Sequence, residues 1–300
     1  MRVLIACHDA GGAEVVSSWV RHNSDSDYWF VLDGPAKKIF ERKLNVSPHW
    51  CKVEEIDSQT WQSLDMTLTG TGWASSLERD AITVSKKHNV HTVAFLDHWV
   101  NYRERFGYPL SDWFQNLPDE IWVGDNQALK LATSCFPKTP TKQKPNNYFI
   151  DLEKEYQTLG NPPVEFDVLY VAEPIGDHRN REYDTSRFTP YDEFDALSYA
   201  LSNLSQDTRF LLRPHPSEPV DKYHDLLLAQ QAVQKWDISR GKTLLEDIAR
   251  AGAVVGCESF AMAIASHFGK PVYTSIVPGG RPPSLPQENI KPISNWSRTE

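Results

Sequence analysis

Short apolar runs alternate with segments of helix length along most of this chain, and no other feature restricts its fold as much. The first runs fall at residues 3–7, 28–32, 66–69, 92–96 and 121–123, with helical patterns at 13–21, 36–43, 75–88 and 127–135. These runs are apolar at successive positions rather than at every second one, so such strands are buried on both faces. Strands of that kind, separated by helices, imply a parallel sheet covered on both sides.

The rhythm breaks between residues 137 and 166. Residues 137–147 are rich in Pro, Lys, Thr and Asn and are expected to form a surface connection. Residues 148–156 suit a short strand or a helix, and Asn161-Pro162-Pro163 is a further breaker. The alternation then restarts, with strands expected at 168–172, 210–212, 235–238, 253–255 and 271–275. Helices are expected at 191–204, 223–231, 243–250 and 259–268. We therefore expect two doubly wound Rossmann-like domains, at residues 1–150 and 151–300. Ligands of such sheets bind at the carboxyl ends of the strands, so the two sets of ends are expected to face a central cleft.

A length of 300 residues accommodates two such domains. The formal net charge of −9 excludes a whole-protein basic field for nucleic acid, although a local pocket for one phosphate is compatible with it. Four scattered cysteines, without a CxxC pair, indicate neither a zinc cluster nor a disulfide framework. No metal and no cofactor is expected. The opening apolar run has no cleavage pattern behind it, and no stretch is long enough to span a bilayer, so a cytoplasmic location is expected.

Four motifs carry polar chemistry at predicted strand ends. The first is Cys7-His8-Asp9-Ala10-Gly11-Gly12, where two glycines permit a tight turn and the next helix directs its positive end into the same space. It lacks the dinucleotide GxGxxG spacing, and an ordinary strand-to-helix turn is the plainer alternative. The second is Asp97-His98-Trp99, followed by Tyr102, Arg103 and Arg105. A carboxylate beside an imidazole suits proton transfer, and aromatics with arginines suit sugars and their anionic groups. Core packing of Trp99 and Tyr102 is the alternative.

The third motif is Arg213-Pro214-His215-Pro216-Ser217-Glu218. Prolines on both sides of His215 stop the strand and fix the histidine's backbone, leaving it able to donate to a phosphate. A rigid exit turn is the alternative. The fourth is Gly256-Cys257-Glu258-Ser259, opening a helix whose free N–H groups can bind an anion and for which Ser259 is a natural N-cap. Glu246 and Asp247 lie on the preceding helix, where one of them can accept from a ribose or simply be surface charge.

The third and fourth motifs together resemble the donor-binding half of GT-B glycosyltransferases that use CMP-sugars, such as bacterial sialyltransferases, polysialyltransferases and capsule Kdo transferases. The resemblance covers roughly residues 167–275 and rests on His215-Pro216 and Ser259. It implies that His215 contacts the nucleotide phosphate and helps CMP leave, that Ser259 helps hold the phosphate, and that Glu246 or Asp247 holds the ribose. The family often shows a serine pair where this chain has Glu258-Ser259. That carboxylate is unfavourable beside a phosphate unless it points elsewhere.

The implied activity is inverting transfer of an acidic sugar from a CMP-activated donor to a glycan or lipid-linked glycan acceptor of the cell envelope. Its general base would be Asp97 or Asp9. Asp97 is favoured, because Trp99, Tyr102 and Arg103 follow it, and with His8, Gly11, Gly12 and His98 they form the acceptor side. Arg213 and Glu258 complete the donor side. A lipid-linked acceptor would bring transient membrane-surface contact, although no amphipathic, lysine-rich helix stands out. Three alternatives stand: a CDP-glycerol-type phosphotransferase, which shares His215 in a similar His-Pro element, a nucleotide-sugar epimerase or hydrolase on the same fold, and a sugar- or nucleotide-binding module without chemistry.

Overall fold

The computed structural model describes residues 1–45, 51–72, 75–176, 191–229 and 235–297. They form two compact units, Met1–Glu153 and Lys154–Glu300. The first contains β1 (Arg2–Cys7), α1 (Ala10–His22), β2 (Asp27–Leu32), α2 (Pro35–Leu44), α3 (Ser58–Ser63), β3 (Met66–Thr69) and α4 (Leu77–Lys87). It continues with β4 (His91–Leu96), β5 (Glu120–Val123), α5 (Asn126–Cys135), β6 (Thr141–Gln143) and the start of α6 (Asn147–Thr158).

Its six strands are all parallel, in the order β2-β1-β3-β4-β5-β6. Alternation along β1 divides the core. Val3, Ile5 and Cys7 pack with Val16 and Trp19 of α1 and Phe40 of α2, whereas Leu4 and Ala6 pack with Trp61 of α3 and Ala81 of α4. The chain's progress across the sheet reverses between β1 and β3, where such sheets open a ligand crevice.

The second unit contains β7 (Phe166–Val171), α7 (Glu193–Ser202), β8 (Arg209–Arg213), α8 (His224–Ala229) and β9 (Lys235–Ile238). After these come α9 (Leu244–Arg250), β10 (Ala251–Gly256), α10 (Phe260–His267), β11 (Val272–Thr274) and β12 (Ile290–Pro292). The parallel order is β12-β11-β10-β7-β8-β9. With β7 counted first, this is the order of the doubly wound nucleotide-binding sheets, and its reversal lies between β7 and β10. Val168, Tyr170, Phe210 and Leu212 of adjacent strands pack with Leu197 and Leu201 of α7.

The structure differs from the sequence expectation at the periphery. The supposed connection at 137–147 contains edge strand β6, paired through Ile121 with Thr141 and Val123 with Gln143. Lys142 and Gln143 are exposed, so the strand carries no apolar signature. The segment after it is helical, as α6, and β12 was also invisible to the apolar pattern. Residues 230–231, the end of one expected helix, lie outside the described residues.

Gly12 shows how closely α1 packs on the sheet. A β-carbon there would stand 2.9 Å from the Thr71 backbone nitrogen and 3.0 Å from Gly70 Cα. Backbone cannot swing aside as a side-chain tip can, so Gly12→Val is expected to lower stability by about 1–3 kcal/mol through overpacking. Urea unfolding of the parent and variant measures this.

Candidate functional site

In the first unit, β1, β3 and β4 are neighbours, and their carboxyl ends bring together the first two sequence motifs. Asp97 Oδ1 is ion-paired with Arg105 and accepts from the Thr71 hydroxyl at 3.2 Å. Its Oδ2 lies against the first turn of α1, where a β-carbon on Gly11 would approach it to 2.0 Å. The glycines of this turn are thus crowded by protein groups. Asp9 is the N-cap residue of α1 but makes no side-chain cap bond; its Oδ1 lies 2.7 Å from His8 Nδ1.

Sequence reasoning missed Glu78, in the first turn of α4. It is 4 % exposed. Its Oε1 accepts the His8 backbone N–H at 2.7 Å, and burial raises its carboxyl above the usual range. Burial, followed by the charge of Glu78, keeps the adjacent Cys7 thiol protonated. A cavity of about 510 Å³ opens at the end of β2 and the start of α4, with Asp33, Lys37, Lys52, Ser75 and Asp80 among its lining residues.

The supposed acceptor aromatics are inside the protein. Trp99 is buried and donates its indole N–H to Asp125 at 3.0 Å. Tyr102 is buried and stacks on Phe136. Arg103 is exposed, and its charge acts on the Cys135 thiol. His98 Nδ1 accepts the Trp99 backbone N–H at 2.9 Å, which leaves Nε2 as the protonated nitrogen of the neutral ring. Burial pushes His98 down to about 4.

In the second unit, the His215 turn is rigidly braced. Glu218 accepts the His215 backbone N–H at 3.0 Å, the Lys222 ammonium at 2.7 Å and the Tyr223 hydroxyl at 2.8 Å. Lys222 also pairs with Glu193, whose other oxygen accepts the Gly176 N–H at 2.8 Å, tying the loop after β8 to the loop after β7. His215 Nδ1 accepts the Ser217 backbone N–H at 3.2 Å and lies 2.7 Å from the Ser217 hydroxyl. Nδ1 is therefore an acceptor, and Nε2 is the donor.

The acidic candidates separate by environment. Asp247 is fully buried and bound to Arg213 at 2.6 Å and to Ser239, so that pair locks β8 to α9. Glu246 is part of the N-terminal capping box of α9, accepting the Thr243 N–H at 2.7 Å. Ser259 caps α10 by accepting from Ala261 at 3.3 Å. Glu258 turns away to Arg281 at 3.0 Å and to the Ser284 backbone N–H and hydroxyl at 3.1 and 3.0 Å.

A second carboxylate, Glu173, stands just after β7 and was also missed. It accepts from the backbone N–H groups of Cys257 at 3.0 Å and Glu258 at 2.8 Å. Removal from water raises it to about 7 in spite of those donors. Among the described residues, no group of three or more His, Cys, Asp or Glu is arranged to hold a metal, and no helix is long and apolar enough to cross a membrane.

No family model and no curated protein matches the chain in sequence. Solved structures do match. The UDP-GlcNAc 2-epimerase of Methanocaldococcus jannaschii, in complex with UDP-GlcNAc and UDP, aligns at TM-score 0.63 and 10 % identity over 100 % of this chain and 94 % of its own. S. aureus MnaA, as a co-structure with UDP, aligns at 0.54 and 10 % identity over 91 % of this chain and 78 % of its own. MurG of Acinetobacter baumannii aligns at 0.50 and 9 % identity over 92 % and 79 %. Identities this low speak for architecture alone, and that architecture is the GT-B fold of two Rossmann-like units.

His98 makes stability depend on pH. Its folded value lies below the unfolded one, so the folded state resists a proton that the unfolded chain accepts. Its contribution is present above about pH 6.5 and is lost as pH falls toward 4, reaching about 2 kcal/mol by pH 5. Urea unfolding at pH 7 and pH 5 should show that loss in the parent, and His98→Gln should reduce it by that amount.

Proposed function

We propose that the protein acts on a nucleotide-activated sugar, binding the nucleotide phosphate in the second unit and transferring the sugar to a glycan acceptor. One observation carries this reading: His215 is braced at the carboxyl end of β8 with Nε2 as its donor, in a sheet of nucleotide-binding order. Donation from Nε2 would stabilise charge growing on the departing phosphate, and the Ser259 hydroxyl at the start of α10 would help hold it. The pairing of Glu258 with Arg281 and Ser284 supports this reading, since it offsets a carboxylate that would otherwise repel a phosphate. A CMP-activated acidic sugar is the favoured donor, on the resemblance at His215-Pro216 and Ser259.

For the general base, Asp9 is preferred to Asp97. Asp97 is committed to Arg105 and Thr71, whereas Asp9 is coupled to the His8 imidazole, an arrangement suited to accepting a proton from a hydroxyl. A second reading, epimerisation or hydrolysis of a UDP-sugar, is favoured by the whole-length likeness to an epimerase crystallised with UDP-GlcNAc.

A thermal-shift screen with CMP-, CDP- and UDP-sugars identifies the nucleotide, since ligand at 100 times its Kd adds about 2.7 kcal/mol. Product analysis then separates transfer from epimerisation and hydrolysis. His215→Ala is expected to keep its fold and lose about 100-fold or more in turnover. Near-parental turnover removes the donor-site reading. Asp9→Asn should retain nucleotide binding and lose transfer by about 100-fold. If Asp97→Asn alone has that effect, the base is Asp97.

A further inference from the structure

Trp99 and Tyr102 are buried and cannot meet an acceptor sugar, so that role passes to another surface of the first unit. The cavity of about 510 Å³ beside β2 falls within the range of small-molecule sites, about 300–1,000 Å³. Three stretches of chain that meet only in the fold build it: the end of β2, residues 51–55 and the residues leading into α4. Its wall combines two chemistries. Val31, Val53 and Leu77 belong to the apolar cluster beneath it. Beside them, Ser75 Oγ accepts the Leu77 N–H at 3.1 Å, which leaves its own hydroxyl hydrogen to give. The Ser76 hydroxyl is spent on one oxygen of Asp80 at 2.7 Å, and the other oxygen can still accept. Among the lining residues, the carboxylates of Asp33, Glu54, Glu55 and Asp80 outnumber the ammonium groups of Lys37 and Lys52.

Resting on the transfer reading of the preceding section, we propose that this cavity binds the acceptor and that the sugar it takes is uncharged. The surplus of carboxylates repels phosphates and acidic sugars. A sugar hydroxyl gives one hydrogen bond and takes others, which suits a wall of mixed donors and acceptors. The C–H groups of the ring suit the apolar residues between them. The cavity also adjoins the proposed base. Gly34 follows the lining residue Asp33 and lies against the His8 ring, where a β-carbon would come within 2.6 Å of Nε2. His8 in turn meets Asp9 through Nδ1 at 2.7 Å. An acceptor hydroxyl directed toward Gly34 therefore reaches the His8–Asp9 pair.

The test uses the full chain and a set of disaccharides. Lactose, maltose and N,N′-diacetylchitobiose are neutral, digalacturonic acid is anionic, and deacetylated chitobiose is cationic. Calorimetry gives the affinities. Alkylation by iodoacetamide gives the location, since Cys51 is a half-buried thiol in the cavity wall and Cys135 on α5 serves as the control. At least one neutral disaccharide should bind. At about ten times its Kd it should slow alkylation of Cys51 about tenfold and leave Cys135 unchanged. The charged disaccharides should do neither. Ser76→Trp places a large ring at the exposed rim and should weaken the neutral sugar about tenfold or more, with the parent's melting temperature kept. Binding by none of the neutral sugars overturns the acceptor cavity. So does binding that changes neither Cys51 alkylation nor the Ser76→Trp affinity, or equal binding of a charged disaccharide. Those results leave the donor site of the second unit standing. Protection of Cys51 by a CMP- or UDP-sugar instead puts the donor in this cavity and overturns both readings.

Discussion

Burial of parallel strands on both faces is the constraint on which this structure depends. Strands such as β1 and β10 have protein above and below them and offer no place for a working polar group along their length. Polar residues collect where the strands end. His8 and Asp9 follow β1, Asp97 follows β4, Glu173 follows β7, and Glu258 and Ser259 follow β10. The sheet order then decides which ends are neighbours: in the second unit the reversal sets the exits of β7 and β10 side by side, and in the first unit only β3 separates those of β1 and β4.

The charges at these exits are mostly settled internally. Arg105 holds Asp97, Arg213 holds Asp247, Arg281 holds Glu258, and Lys222 joins Glu193 to Glu218. Such pairs fix geometry more than they add stability, since the cost of drying two charges offsets much of their attraction. Glu78 and Glu173 are held differently, by backbone N–H groups, and both carboxyls are displaced upward by burial. The common cause is desolvation, which disfavours the charged form even where backbone N–H groups favour it.

The His215 turn shows how rigidity is built from several weak devices. Pro214 and Pro216 limit the backbone, Glu218 binds its N–H, Ser217 sets the ring nitrogen, and Lys222 links the turn to the loop after β7. Each contact is modest alone. Together they leave the ring few orientations, and so little entropy to lose when it meets a ligand.

What the chain settles by itself is the architecture. Runs such as 3–7 and 168–172 must be buried on both sides, and helices of matching length lie between them, so two parallel wound sheets follow from local pattern. The positions of His215 and Ser259 at strand and helix ends were legible for the same reason, because proline and N-cap chemistry act within a few residues. Peripheral β6 and β12 were not, since three-residue edge strands need no apolar signature. Tertiary structure alone decided the partners. Arg105 meets Thr71 across a sheet neighbour, Trp99 and Tyr102 turn inward, Glu258 turns toward Arg281, and Glu173 reaches a turn 84 residues away. The physical reason is range. Propensity and periodicity act over one or two turns of chain, whereas desolvation and charge pairing depend on neighbours that exist only after the sheet has assembled.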